Sequence, residues 1–257
     1  MRVAQLLVSI LFFLSHLFFQ QSASVVPRDP QATALLQSAV RSMSGNAPTD
    51  SVATGNVVVV AGSLTTSGTI RILTRGTDET SEQFSLSQST DTTVYSRGAA
   101  NATTYGKTES LSLERTASSL SAAFPLPYLV SAIANPDEAI QYVGLETLGQ
   151  AQVRHIRTWN TYKSNPSLQF LSDFTITDIW LDASTNLPLT ISFTRRDGSG
   201  SQPKIPIAFS YSDFRSASVV LYPYQIQESV NGTHWATITI QSVALNTGLT
   251  DADFPVR

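Results

Sequence analysis

The sequence predicts a mainly β fold of the α+β type, an antiparallel sheet accompanied by one N-terminal helix. Three observations carry this: one well-capped amphipathic stretch at 30–43, about two hundred following residues dominated by alternating apolar and polar positions, and glycine-bearing turns between the alternating runs. A single sheet must bury one face. With few helices and no cysteine, it can do so by closing, by stacking on a second sheet, or by curling around a helix and leaving a groove. The third arrangement makes a ligand container.

The first 24 residues read as an export signal. Arg2 supplies the positive end, Leu6 to Phe19 is apolar except for Ser9, Ser15 and His16, and the small residues Ser22, Ala23 and Ser24 follow. The apolar run is shorter than the roughly 20 residues that span a bilayer, so cleavage after Ala23 or Ser24 is expected, leaving an exported, periplasmic or secreted chain from residue 25 to 257. No later stretch is long enough to span. The net charge is −3, and loss of Arg2 makes it one unit more negative. Basic residues are scattered, with Arg195-Arg196 the only adjacent pair, so no nucleic-acid surface is expected. The absence of cysteine excludes a disulfide framework, thiolate chemistry and a lipid-attachment cysteine.

Asp29 is a good helix N-cap, and Pro30 stands at the first helical position, where its missing N–H costs nothing. Ala32, Leu35, Leu36, Ala39, Val40 and Met43 recur at three- and four-residue spacing, and Gly45 follows as a left-handed C-terminal cap. From Asn56 the period approaches two. Val57 to Val60 is continuous and reads as a strand covered on both faces, whereas Leu187, Leu189, Ile191 and Phe193 share one face of a half-wet strand. Ile205, Ile207, Phe209 and Tyr211 repeat the pattern. Ser67-Gly68, Arg75-Gly76, Asp197 to Gly200 and Asn231-Gly232 read as turns. The middle segment Thr116 to Ala134 is low in charge, carries Pro125 and Pro127, and ends in the helix-like set Tyr128, Leu129 and Ile133. Two prolines exclude a central strand. The segment is either a core-covering connection or a lid over a groove. Pro136 to Ala139 suggests one more short turn.

Residues that carry chemistry are few. His155 and His234 lie beyond the signal, without the spacing of a zinc site, and no G-x-S-x-G elbow occurs. Asp178 and Asp182 fall on one face of a strand, the arrangement a glycan-active protein would need, although Asp182 also suits a turn cap. Asn101-Ala102-Thr103 and Asn231-Gly232-Thr233 match the glycosylation pattern. No catalytic residue, metal site or cofactor is expected.

Ile179-Trp180-Leu181-Asp182 through Leu187-Pro188 resembles the strand, Asp-containing turn and Leu-Pro-led strand of the LolA/LolB-like lipoprotein-carrier superfamily. Phe209 to Arg215, Leu221-Tyr222-Pro223, Val243 to Asn246 and Phe254-Pro255 follow in that family's order. Before the Leu-x-Pro strand this chain has Ala217-Ser218 where the group often has glycine. The resemblance implies a strongly curved sheet, an incomplete barrel wrapped around the helix and a short helical lid, in one half-barrel domain over residues 25–257. It also implies a non-enzymatic carrier of lipid acyl chains or lipoproteins, working between membrane-associated donor and acceptor proteins. The superfamily contains stress-sensing regulators too, so a structural or interaction module with a self-filled core is the alternative. The residues expected to line a cavity are Leu36, Val40 and Met43 on the helix, Leu126, Tyr128, Leu129 and Ile133 in the lid, and Leu189, Ile191, Phe193, Ile207 and Phe209 on strands.

Overall fold

A computed structural model describes residues 25–44, 47–119, 122–196 and 204–256. The signal, the Gly45 cap and the Asp197 to Gly200 turn lie outside the described residues. The elements run α1 (Pro30–Met43), β1 (Asp50–Ala61), β2 (Leu64–Arg75), β3 (Glu79–Leu86), β4 (Thr90–Ser96), β5 (Ala99–Thr104), β6 (Lys107–Ser110), α2 (Leu113–Ala117) and α3 (Pro125–Ala134). Then come β7 (Glu138–Leu148), β8 (Ala151–Asn160), a 3₁₀ helix (Pro166–Phe174), β9 (Thr177–Asp182), β10 (Pro188–Arg195), β11 (Ile205–Ala217), β12 (Val220–Val230) and β13 (Thr233–Leu245).

The thirteen strands among the described residues form one antiparallel sheet, in the order β6-β5-β4-β3-β2-β1-β13-β12-β11-β10-β9-β8-β7. Each strand pairs with its chain neighbour except at β1, which meets β13, and at the two ends, β6 and β7, which leave the barrel incomplete. The curvature follows from what meets across it. β4 and β10 are seven places apart in this order, about 34 Å on a flat sheet, yet Tyr95 of β4 and Phe193 of β10 line one cavity. Bulges at Gly55 in β1 and beside Gly144 in β7 add local bend.

The concave face is covered by α1 and α3, which pack on each other. Asp29 caps α1, its carboxylate accepting from the Ala32 amide at 3.0 Å, and the predicted apolar stripe is the buried one. The two-proline segment is a helix from Pro125 onward, with Leu126 and Leu129 fully buried. Arg28 closes the far end of α3, donating to the carbonyls of Ile133 and Asn135, each at 2.7 Å. The adjoining backbone, Pro27 to Asp29, bridges to Ile140 and shields the start of the β7 edge. One large cluster joins α1 and α3 to Ile70, Ile72, Ile156, Ile179, Ile191, Tyr222 and Ile238 of the sheet. A smaller cluster, Leu73, Val94 and Phe254, lies on the outer face under the C-terminal segment.

Four local readings are corrected. Gly68 is not in a turn but inside β2, where a Cβ would stand 2.2 Å from the Ser85 carbonyl oxygen of β3; the β1–β2 turn falls at Gly62, with φ of 61°. Val57 to Val60 is not covered on both faces, since Val57 and Val59 are buried while Val58 is 36 % exposed. Leu189 leaves the face of Ile191 and Phe193 because β10 bulges there: Pro188 opposes Leu181 and Thr190 opposes Trp180, so Pro188 takes the inward place. Of the short turn expected at 136–139, Pro136 and Asp137 form it, whereas Glu138 and Ala139 already open β7. The turns at Gly76 and Asn231-Gly232 form as expected, with positive φ at all three residues. Ser218 has φ of 57°, at the turn where the resembling group often carries glycine. No helix among the described residues is long and apolar enough to cross a membrane.

Candidate functional site

Three cavities lie between the concave sheet face and its cover, and Ser119 belongs to the wall of each. The first, about 150 Å³, is walled by Phe84, Phe193, Ile207, Phe209 and Trp235, with Glu82, Tyr95, Arg115, Arg195 and Glu228 among them. The second, about 240 Å³, runs beneath Phe124, Pro127 and Tyr128 and shares Tyr95 with the first. The third, about 190 Å³, lies against Phe174, Tyr128 and Glu138 and shares Phe193 with the first. The second and third share Tyr128 and Ser131 as well as Ser119.

The expected lining residues divide into five groups. Phe193, Ile207 and Phe209 line the first cavity, with the Phe193 and Phe209 rings 6.3 Å apart and nearly parallel. Tyr128 stands between the second and third, its hydroxyl 2.6 Å from Thr158 Oγ1. Leu36, Met43, Leu126, Leu129 and Ile191 line none of them; each is at most 1 % exposed in close-packed core. Val40 and Ile133 flank a separate, open groove of about 280 Å³ between α1 and α3. Leu189, displaced by the bulge, is half-buried and outside the main apolar cluster.

Sequence reasoning missed the charged residues of the first cavity. The signal was phase: Glu228 falls two residues after the inward Ile226, and Glu82 two before the inward Phe84. Burial, with Glu82 nearby, pushes the Glu228 carboxyl up to about 8, although Arg195 opposes this. Burial also lowers the Arg115 guanidinium, helped by Arg195, and raises the Tyr95 phenol. In the third cavity burial lifts Glu138 to about 7. Burial raises Tyr128 well beyond the ordinary tyrosine range.

The histidine and aspartate candidates lie on the outer face and have structural partners. His155 sits between two carboxylates, with Nδ1 2.7 Å from Glu146 Oε1 and Nε2 2.7 Å from Asp178 Oδ1, and its ring stacks on Trp180 at 4.5 Å. Asp178 is also gripped by Arg157 at 2.9 and 3.0 Å. Asp182 caps the following turn, accepting from the Ser184 and Thr185 amides at 3.0 and 2.7 Å. Asp178 and Asp182 therefore do not act as a pair. Among the described residues no three His, Asp or Glu side chains are grouped to hold a metal.

No protein-family model matches the sequence, and neither does any curated protein. Solved structures do match. A domain from Vibrio parahaemolyticus described as an outer membrane lipoprotein-sorting protein superposes with a TM-score of 0.57 at 14 % identity, covering 87 % of this chain and 96 % of its own. A LolA superfamily protein from Nitrosomonas europaea gives 0.54 at 15 % identity, over 88 % and 97 %. The chain has the LolA-like fold. A DUF1329 family protein from Desulfovibrio piger is similar at 0.53 and 13 % identity, over 87 % and 97 %. At these identities the likeness is one of LolA-like architecture: an unclosed curved sheet with helices in its concavity.

Proposed function

We propose that this chain is a non-enzymatic carrier that holds an acyl chain, from a lipid or a lipidated protein, between the concave face and the α2–α3 cover. Residues 1–24 direct export in this reading, and residues 25–257 form a single half-barrel domain in the periplasm or outside the cell. Donor and acceptor proteins at membranes are its partners. The observation that carries the reading is the row of three cavities with shared walls, lined by Phe193, Ile207, Phe209, Phe124 and Tyr128. Each is below the roughly 300 Å³ at which ligand pockets begin, so an acyl chain fills them by turning aside the side chains between them. Each buried methylene contributes about 0.8 kcal/mol, and such transfer needs no covalent chemistry. The likeness to a domain described as lipoprotein-sorting supports the same reading.

Purified protein should release acyl lipid in native mass spectrometry and bind a fluorescent fatty-acid probe. Ile207→Trp adds bulk to the first cavity and should weaken the probe at least about tenfold, a loss of about 1.4 kcal/mol, with little change in melting temperature. A wild type that binds no probe and releases no lipid rejects the carrier. The self-filled structural module would then stand, a reading favoured by the close packing of Leu36, Met43, Leu126 and Leu129.

A further inference from the structure

Antiparallel pairing assigns each turn of the sheet to one of two rims, and the two rims differ in charge. The β1–β2, β3–β4, β5–β6, β10–β11 and β12–β13 turns share one rim with the 3₁₀ helix that joins β8 to β9. All three lysines of the chain stand there: Lys107 opens β6, Lys163 follows β8, and Lys204 precedes β11. Each is exposed and enters no ion pair among the described residues. Asp91, Glu109 and Asp173 reach the same rim and offset part of that charge. The other rim gathers Asp50, Asp78, Asp182, Asp251 and Asp253, and its arginines are answered: Arg75 and Arg97 share Glu79 and Asp251, and Arg215 holds Asp213. Apolar tips accompany the lysines. Tyr105 in the β5–β6 turn is 77 % exposed, Leu64 at the start of β2 is 71 % exposed, and Phe170 of the 3₁₀ helix is exposed as well. β3 pairs with β2 only as far as Gly68, so Leu64 to Ser67 overhang it by four residues, about 13 Å.

The chain also enters the fold at this rim. Pro27 and Asp29 bond the backbone of Ile140 near the start of β7, and Val25 lines one cleft with Thr161 and Lys163. Only five residues separate Val25 from the apolar run Leu6 to Phe19, a reach of about 20 Å at most, so a domain still joined to that run in a bilayer meets the bilayer with this rim. We propose that the rim is a docking surface for bilayers with anionic head groups, Lys107, Lys163 and Lys204 meeting the head groups while Leu64 and Tyr105 enter the interfacial layer. This goes beyond the carrier reading and needs nothing bound in the cavities. The sign follows from the polarity of the two rims: a negative surface attracts the end that holds the lysines and repels the end where carboxylates gather. Each lysine near such a surface is worth about fivefold in affinity. The apolar tips add a second contribution, tyrosine being suited to the boundary between head groups and hydrocarbon. Either signal alone binds a membrane weakly, and the two together hold.

Purified protein is to be sedimented with vesicles of phosphatidylcholine alone and of an equimolar mixture with phosphatidylglycerol. At low salt the wild type should bind the mixture at least about tenfold more tightly, and added salt should erase that difference. Replacing the three lysines together, Lys107→Gln, Lys163→Gln and Lys204→Gln, should bring the mixture to the level of phosphatidylcholine. Leu64→Ser with Tyr105→Ser should weaken binding to the mixture about tenfold, whereas Val219→Ser, at an equally exposed turn on the opposite rim, should change nothing. All these positions are exposed, and thermal melts identify any variant that has not folded. A wild type that sediments with neither vesicle, a lysine variant that binds like the wild type, or an equal loss with Val219→Ser overturns the docking surface. The fatty-acid probe reports the carrier separately. Probe binding without vesicle binding overturns the docking surface alone, and vesicle binding without probe binding supports it while rejecting the carrier.

Discussion

Tyr211 of β11 donates its buried hydroxyl to the carbonyl oxygen of Ala122 at 2.6 Å, fastening the segment that leads into α3 to the floor of the sheet. On the adjacent strand, Tyr222 of β12 stacks on Phe124 with ring centroids 4.4 Å apart, yet its hydroxyl has no hydrogen-bond partner among the described residues. Two tyrosines under one connection thus differ in a single bond.

That difference predicts opposite outcomes for the same substitution. Tyr211→Phe leaves a buried carbonyl without its donor and should destabilise by about 1 kcal/mol or more. Tyr222→Phe removes a buried hydroxyl that gains nothing and keeps the ring stack, so it should be neutral or stabilising. Urea midpoints of the two variants against wild type decide the matter, and a larger loss for Tyr222→Phe contradicts the assignment.

Stability should fall as the pH rises from about 4.5 toward 8. Glu138 and Glu228 both have folded-state values raised by burial, to about 7 and about 8, from an ordinary 4.5. Across that window the folded chain binds protons that the unfolded chain has released, so alkali favours unfolding. The opposite limb comes from other carboxylates. The Arg75 guanidinium holds Glu79 below its ordinary range, and the Ser184 hydroxyl does the same for Asp182. Their stabilisation is present above the ordinary carboxylate range and is lost as the pH drops through their lowered values. Maximum stability is therefore expected on the mildly acidic side, and Glu138→Gln with Glu228→Gln should flatten the alkaline limb of a melting-temperature profile.

Asp50 ties the beginning of the sheet to the chain's end. Burial pushes its carboxyl up, but the Thr247 hydroxyl and the amides of Thr247, Gly248 and Leu249 outweigh that and hold it below its ordinary value. Those contacts run from 2.6 to 3.4 Å, and Asp50 is 4 % exposed. Asp50→Ala orphans the donors and should cost about 3 kcal/mol. Hydrogen exchange should accelerate at residues 247–249 before it does in β13.

Two neighbours on α1 should respond differently to added bulk. Leu36 is fully buried in close-packed core, and Leu36→Trp should cost about 1–3 kcal/mol or more. Val40 borders the open groove beside Ile133, so Val40→Trp should cost less. Melting temperatures measured side by side test this; equal losses would mean that the groove does not yield.

Much of the fold is written locally. Asp29, Pro30 and the three- and four-residue spacing specify α1, and Asn231-Gly232 specifies the β12–β13 hairpin, because caps and positive-φ turns depend on a few adjacent residues. The alternation from Ile205 to Tyr211 likewise fixes which side chains share a face, since the strand period is two. Only the tertiary structure decided what those faces meet. The pairing of β1 with β13 brings together residues nearly two hundred positions apart, and it is this curl that sets Glu82 of β3 and Tyr95 of β4 against Arg195 and Glu228. The bulge at Leu189 and the close approach at Gly68 were hidden for the same reason, each being a relation to the neighbouring strand. Phase along a strand belongs to the sequence, whereas which phases face one another belongs to the fold, and the cavity with its charges arises at that second level.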